Sequence, residues 1–185
     1  MTIDPQQAAA ALGEIAGVEQ RTRRVLVYGQ VGLIMMLWGV LDALGYVSEH
    51  FQPRHAARIW LAVNGIGLLA TVVLTRLGPR LDGAAARGRL VIWALLVLIG
   101  YGLVWSLLLG NFTPRQLGAF WSTLFMCGYV LLGLWLGRAF IVLGLAVTAL
   151  TLIGYFWLGP WFQLWMAAVD GGGLILGGLW LRRLG

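Results

Sequence analysis

Six long apolar runs, separated by short links that hold much of the charge, account for almost all of the chain after residue 24. They cover residues 25–47, 58–77, 90–110, 117–136, 139–158 and 161–181. Each is close to the roughly 20 residues a helix needs to cross the hydrocarbon of a bilayer. The pattern predicts an all-α fold, a polytopic membrane bundle of six transmembrane helices. The links at Gly137-Arg138 and Gly159-Pro160 are short enough to force antiparallel neighbours, so helices four to six are expected to cluster tightly.

Ahead of these runs, Asp4-Pro5-Gln6-Gln7 has the form of a helix start, with an acidic N-cap, proline at the first helical position and glutamine at the third. A short amphipathic helix to about Gln20 should follow, carrying a thin apolar stripe of Ala8, Leu12, Ile15 and Ala16 with Glu14 and Glu19 off it. Such a helix does not span. It packs as a solvated lead-in, lies on the membrane surface or docks on a partner. Residues 1–24 are therefore read as a cytoplasmic N-terminal helix stopped by Arg21, Arg23 and Arg24, and residues 25–185 as the transmembrane domain.

Composition agrees. Charged residues make up 11% of the chain and hydrophobic ones 60%, whereas a soluble domain carries about 25% charged residues; mean hydropathy is +0.85. The net charge of +6 does not point to nucleic acid, because the basic residues recur between apolar runs instead of gathering on one polar face. All thirteen cationic residues are arginine, which removes Schiff-base and lysine general-base chemistry. A single cysteine, Cys127, excludes an internal disulfide, and the first 24 residues lack the apolar core of a signal peptide.

The arginines set an expected orientation. Arg21, Arg23, Arg24, Arg76, Arg80, Arg87, Arg89, Arg138, Arg182 and Arg183 fall in one set of links; Arg54, Arg58 and Arg115 fall in the other. The positive-inside rule puts the richer set and both termini in the cytoplasm of a bacterial inner membrane. Trp60, Trp105, Trp157 and Trp161 would then mark the outer interface, and Trp93, Trp135 and Trp180 the inner one.

Two patterns suggest a threefold hairpin repeat. Asn64-Gly65, Cys127-Gly128 and Asp170-Gly171 precede Arg76, Arg138 and Arg182 by nearly equal distances, which places three polar side chains about 18 Å from the inner edge. Gly-Tyr at Gly45-Tyr46, Gly100-Tyr101 and Gly154-Tyr155 does not share a common depth and is set aside.

Candidate chemistry centres on Asp170. A carboxylate at mid-span costs about 2.5–3.5 kcal/mol on insertion scales, so it faces protein or water. The following Gly171, Gly172 and Gly173 are expected to weaken the helix and expose backbone carbonyls as further ligands. The plainer reading is an acid held by an indole N–H or a hydroxyl of Ser106, Ser122, Thr148 or Thr151. Asn64 is level with Asp170 and is either a pathway residue or a helix–helix hydrogen bond. Asp42 is the remaining pathway candidate, its plainer role being to pair with Arg58 or cap a loop. His50 and His55, flanking Pro53, are weak metal or haem candidates, and solvated loop residues by default. Gly133-x-x-x-Gly137 and Gly173-x-x-x-Gly177 are close-packing signatures that would suit homo-oligomers.

No phosphate-binding loop, nucleophile elbow or H-E-x-x-H motif occurs, so neither an enzyme nor a cofactor is expected. The sequence supports two functions. One is a translocation pathway for a small solute or ion built around Asp170. The other is a non-transporting scaffold, sensor or regulatory subunit that docks a cytoplasmic partner through its N-terminal helix.

Overall fold

The computed structural model describes residues 5–78 and 84–184. The predicted cap Asp4 and residues 79–83 of the basic loop lie outside the described residues. All regular structure among the described residues is helical: α1 Pro5–Phe51, α2 Ala56–Leu77, α3 Ala84–Leu109, α4 Pro114–Leu136, α5 Arg138–Trp157, α6 Phe162–Met166 and α7 Gly172–Leu184. A π-helical turn, Ala167–Gly171, joins α6 to α7.

Six segments are long and apolar enough to cross a membrane: Tyr28–Phe51, Pro53–Leu77, Ile92–Leu109, Pro114–Leu134, Arg138–Trp157 and Gly159–Arg183, called spans 1 to 6 below. Their bounds match the six apolar runs to within a few residues. The N-terminal segment differs from the expectation of a separate helix, because α1 runs unbroken for 47 residues. No proline or glycine-rich break stands between Glu19 and Val25, so nothing in the backbone interrupts the turn there.

The ends of the spans follow from local chemistry. Pro53 disfavours the helical region for Gln52, which takes φ −133° and ψ 61°, and α1 stops at Phe51. Thr113 and Gln116 form a reciprocal capping box at the start of α4, with Pro114 at the first helical position. Gly137 takes φ +130° and turns α4 into α5 within one residue, a conformation closed to other side chains.

The most extensive helix pairs are α1 with α7 and α4 with α5. Helices four and five therefore adjoin as expected, but span 6 closes chiefly onto span 1. Glycines allow that approach. A Cβ on Gly39 would sit 2.6 Å from the Gly171 carbonyl oxygen, and one on Gly171 would sit 2.7 Å from the Gly39 carbonyl oxygen. Gly32 and Gly178 repeat the reciprocal contact, at 2.6 and 2.5 Å. Backbones this close gain dispersion and weak Cα–H···O contacts that larger residues would forbid. Gly133 packs against Ile141, and Gly177 against Leu143 and Met35. The glycine signatures thus pack helices within one chain, with Gly137 serving the turn.

α2 packs on α1 and α3 on α4, both at the periphery. Indole rings settle on glycines in each hairpin: Trp38 on Gly67 and Trp60 on Gly45, Trp121 on Gly102, Trp165 on Gly154. Trp60 is consequently drawn inward and is not a plain interface residue, whereas Trp93, Trp157 and Trp161 are well exposed. The side chain of Trp135 lies outside the described residues.

Two apolar clusters fill the interior. Met35, Met126, Phe140, Val147, Val169, Leu174 and Leu181 form the larger one. Tyr46, Phe162 and Met166 form the smaller, toward the end of the bundle where α1 stops at Phe51.

Candidate functional site

Between these clusters lies a group of polar side chains, each brought there by the helical repeat. On α1, Asp42, Tyr46 and Glu49 follow an i, i+4, i+7 spacing and share one face with Met35. On α4, Ser122, Met126 and Tyr129 do the same. Phe140, Gly144, Val147, Thr151 and Gly154 form the buried stripe of α5. Span 6 contributes Asp170, 5% exposed, from inside the π turn.

The π turn has a geometric cause. The inward positions of span 6 include Phe162, Met166, Asp170, Leu174 and Gly178, all buried and spaced by four. At 3.6 residues per turn, four such steps drift by about 160° around a regular helix. One wider turn absorbs about 100° of that and keeps the stripe on one broad face. The helix therefore continues through Gly171, Gly172 and Gly173. The expected break with exposed carbonyls is absent, and Gly172 keeps ordinary helical angles, φ −63° and ψ −40°.

Asp170 accepts a hydrogen bond from the Ser122 hydroxyl, Oγ to Oδ1 3.1 Å. Thr151, fully buried, stands 3.5 Å from the same Ser122 oxygen. Asp42 comes within electrostatic range of Asp170, so carboxyls from spans 1 and 6 occupy one region. This is reinforced by the Gly171 contact with Ala43. No cation stands beside either carboxyl among the described residues. Arg58 is not the partner of Asp42, because Trp60 rests on Gly45 and holds the start of α2 beyond it, toward the Phe51 end. Tyr46 and Tyr129 also lie within electrostatic range of both acids. Along the helix axes Asp170 is about 17 Å from the Gly159 end of its span and about 20 Å from the Arg183 end.

Glu49, 4% exposed, continues the polar stripe toward the Phe51 end. The Trp60 indole donates to its Oε2 at 2.9 Å, and Gln163 supplies a second hydrogen bond. Sequence reasoning passed over this residue because it adjoins the polar link 48–57. Its spacing from Asp42 and Tyr46 was the signal.

The other candidates are not brought to this place. Asn64 is exposed, and its amide donates back to the Trp60 carbonyl of its own helix at 2.7 Å. Cys127 is also exposed. The three residues placed at one depth thus face different surroundings. His50 stacks on Trp161, with centroids 5.7 Å apart, and His55 lies exposed in the turn after Pro53. Among the described residues no three histidine, cysteine or acidic side chains are grouped to hold a metal.

Chemically, the arrangement offers carboxyl, hydroxyl and phenol oxygens in an apolar bundle, with no cation beside the two aspartates among the described residues. Such a group can hold a proton or a small cation. Comparison of the chain with known protein families, with curated proteins and with solved structures finds no match.

Proposed function

We propose that this protein is a translocation pathway for a small ion or ion-coupled solute across the bacterial inner membrane, with both termini in the cytoplasm. One observation carries the reading: the buried Asp170 of span 6, hydrogen-bonded to Ser122 near Thr151, lies within electrostatic range of the partly buried Asp42 of span 1, and among the described residues no cation stands beside either. Two acids in hydrocarbon are expensive, and a purely structural bundle gains nothing from the second. The orientation is supported by ten arginines on one set of links against three on the other.

The test is flux into vesicles containing the purified full-length protein, driven by an imposed gradient of protons, sodium or potassium. Wild-type protein is expected to carry one of these, and D170N to reduce it by at least about tenfold. Absence of flux for all three ions overturns the proposal.

A second reading is a scaffold or regulatory subunit. It is favoured by the unbroken α1, which begins at Pro5, well ahead of span 1 at Tyr28. A leading segment of that length reaches about 34 Å beyond the span, enough to meet a partner clear of the membrane surface. If that reading holds, removing residues 1–20 abolishes recovery of a partner in mild detergent while leaving the six spans folded.

A further inference from the structure

We propose that the buried acids exchange protons, and that Glu49 is the relay between them and the aqueous phase at the Phe51 end of the bundle. The inference rests on the translocation reading and adds to it the ion and the side of entry.

The two ends of the polar group differ. Toward the Arg183 end it meets Met35, Met126, Phe140 and Leu181, each 3% exposed or less, and no acid continues the path there among the described residues. Toward the Phe51 end the closure is aromatic, with Phe162 and Met166 fully buried. There the α1 stripe carries two protonatable groups past the closure, Tyr46 and then Glu49. Among the described residues Glu49 is held by neutral donors, Trp60 from α2 and Gln163 from span 6. Its titratable neighbour is Tyr46, and the acids beyond are faced by Tyr46 from α1, Tyr129 and Ser122 from α4 and Thr151 from α5.

An independent observation concerns Asp42. It accepts no hydrogen bond among the described residues and lies on α1 next to Ala43, which touches Gly171, within electrostatic range of the Asp170 carboxyl, yet it is not fully buried. A proton on one carboxyl relieves the repulsion between them without requiring any further ligand. In the relay, the O–H bond of Glu49 breaks as one forms on the Tyr46 oxygen. Tyr46, whose hydroxyl donates to the Gly118 carbonyl oxygen at 3.4 Å in this structure, turns from that oxygen to pass its own proton to Asp42 or Asp170, and the Glu49 carboxylate is reprotonated from water.

The experiment is time-resolved infrared spectroscopy of the purified full-length protein after a pH jump, following the protonated-carboxyl band that D42N and D170N remove. E49Q is expected to slow this band by at least about tenfold, and E49D to restore most of the rate. An unchanged rate in E49Q overturns the relay even if the vesicles carry protons. A slowed rate in E49Q without any vesicle flux sustains the relay and overturns translocation. A band that follows sodium concentration instead of pH overturns the choice of ion. Should E49Q fail to fold, W60F keeps the carboxyl and removes its indole donor. It is expected to change the rate severalfold, and an unaltered rate there counts against the relay.

Discussion

Asp42 and Asp170 occupy the positions where function and stability pull apart. Each carboxylate costs about 2.5–3.5 kcal/mol at mid-bilayer on insertion scales, and a single hydroxyl donor returns only about 0.5–1.5 kcal/mol. If the acids are kept for proton or ion chemistry, neutral isosteres should be at least as stable as the wild type. Thermal unfolding in mild detergent is expected to show D42N and D170N unchanged or raised in midpoint, while flux is lost. A large fall in midpoint for both would mean that the carboxyls hold the bundle together instead. Asp170 stood out in the sequence because an acid inside an apolar run needs a partner, and the Ser122 hydroxyl, one of those the sequence offered, donates to it. Glu49 did not, since burial by Trp60 and Gln163 is a tertiary event beside an ordinary polar link. Asn64 was expected level with Asp170, but its side chain is exposed and turns back to its own helix. Rise along a helix fixes depth, while the packed face is fixed by Val63 and Gly67 against α1, one residue off its azimuth.

At the scale of the element, the α1–α7 pair is held by matched glycines seven residues apart, Gly32 and Gly39 against Gly178 and Gly171. A search for glycines four apart misses this spacing, and the partner of each glycine is set by the three-dimensional match, not by either helix alone. Gly39→Ala puts a methyl 2.6 Å from a backbone oxygen that cannot swing aside. Separating the helices to relieve it should cost about 1–3 kcal/mol and also draw Asp42 from Asp170. Gly172, with nothing within 4 Å of its Cβ position, is the control. Gly172→Ala is expected to be neutral, or stabilising by about 0.5–1 kcal/mol through helix propensity. Chemical unfolding of the two variants side by side decides the matter, and equal stabilities would remove the glycine contact as the reason for the close approach. The π turn was out of reach of the sequence for a related reason, because it answers the need of one face to meet three different helices.

Across the whole molecule, hydropathy was enough to anticipate six helices long and apolar enough to cross a membrane, since each apolar run has that length. The order of neighbours was only half legible. Short links fix sequential pairs such as α4 and α5, but the closure of span 6 onto span 1 joins residues more than 130 positions apart and has no local signature. In the topology we propose, an even number of spans puts residues 5 and 184 on one side, and the arginine asymmetry is the reason for assigning that side to the cytoplasm. Cysteine labelling can test both steps with little background, because the native Cys127 lies near the middle of α4 on an exposed face. There a thiol would face hydrocarbon, out of reach of aqueous maleimides. In intact cells a membrane-impermeant maleimide is expected to label R54C and N111C, and to label a cysteine added after residue 185 only once the membrane is permeabilised. Labelling of the added C-terminal cysteine in intact cells, with R54C protected, would reverse the orientation. The Phe51 end, with Glu49 behind it, would then face the cytoplasm, and the relay would draw its protons from there.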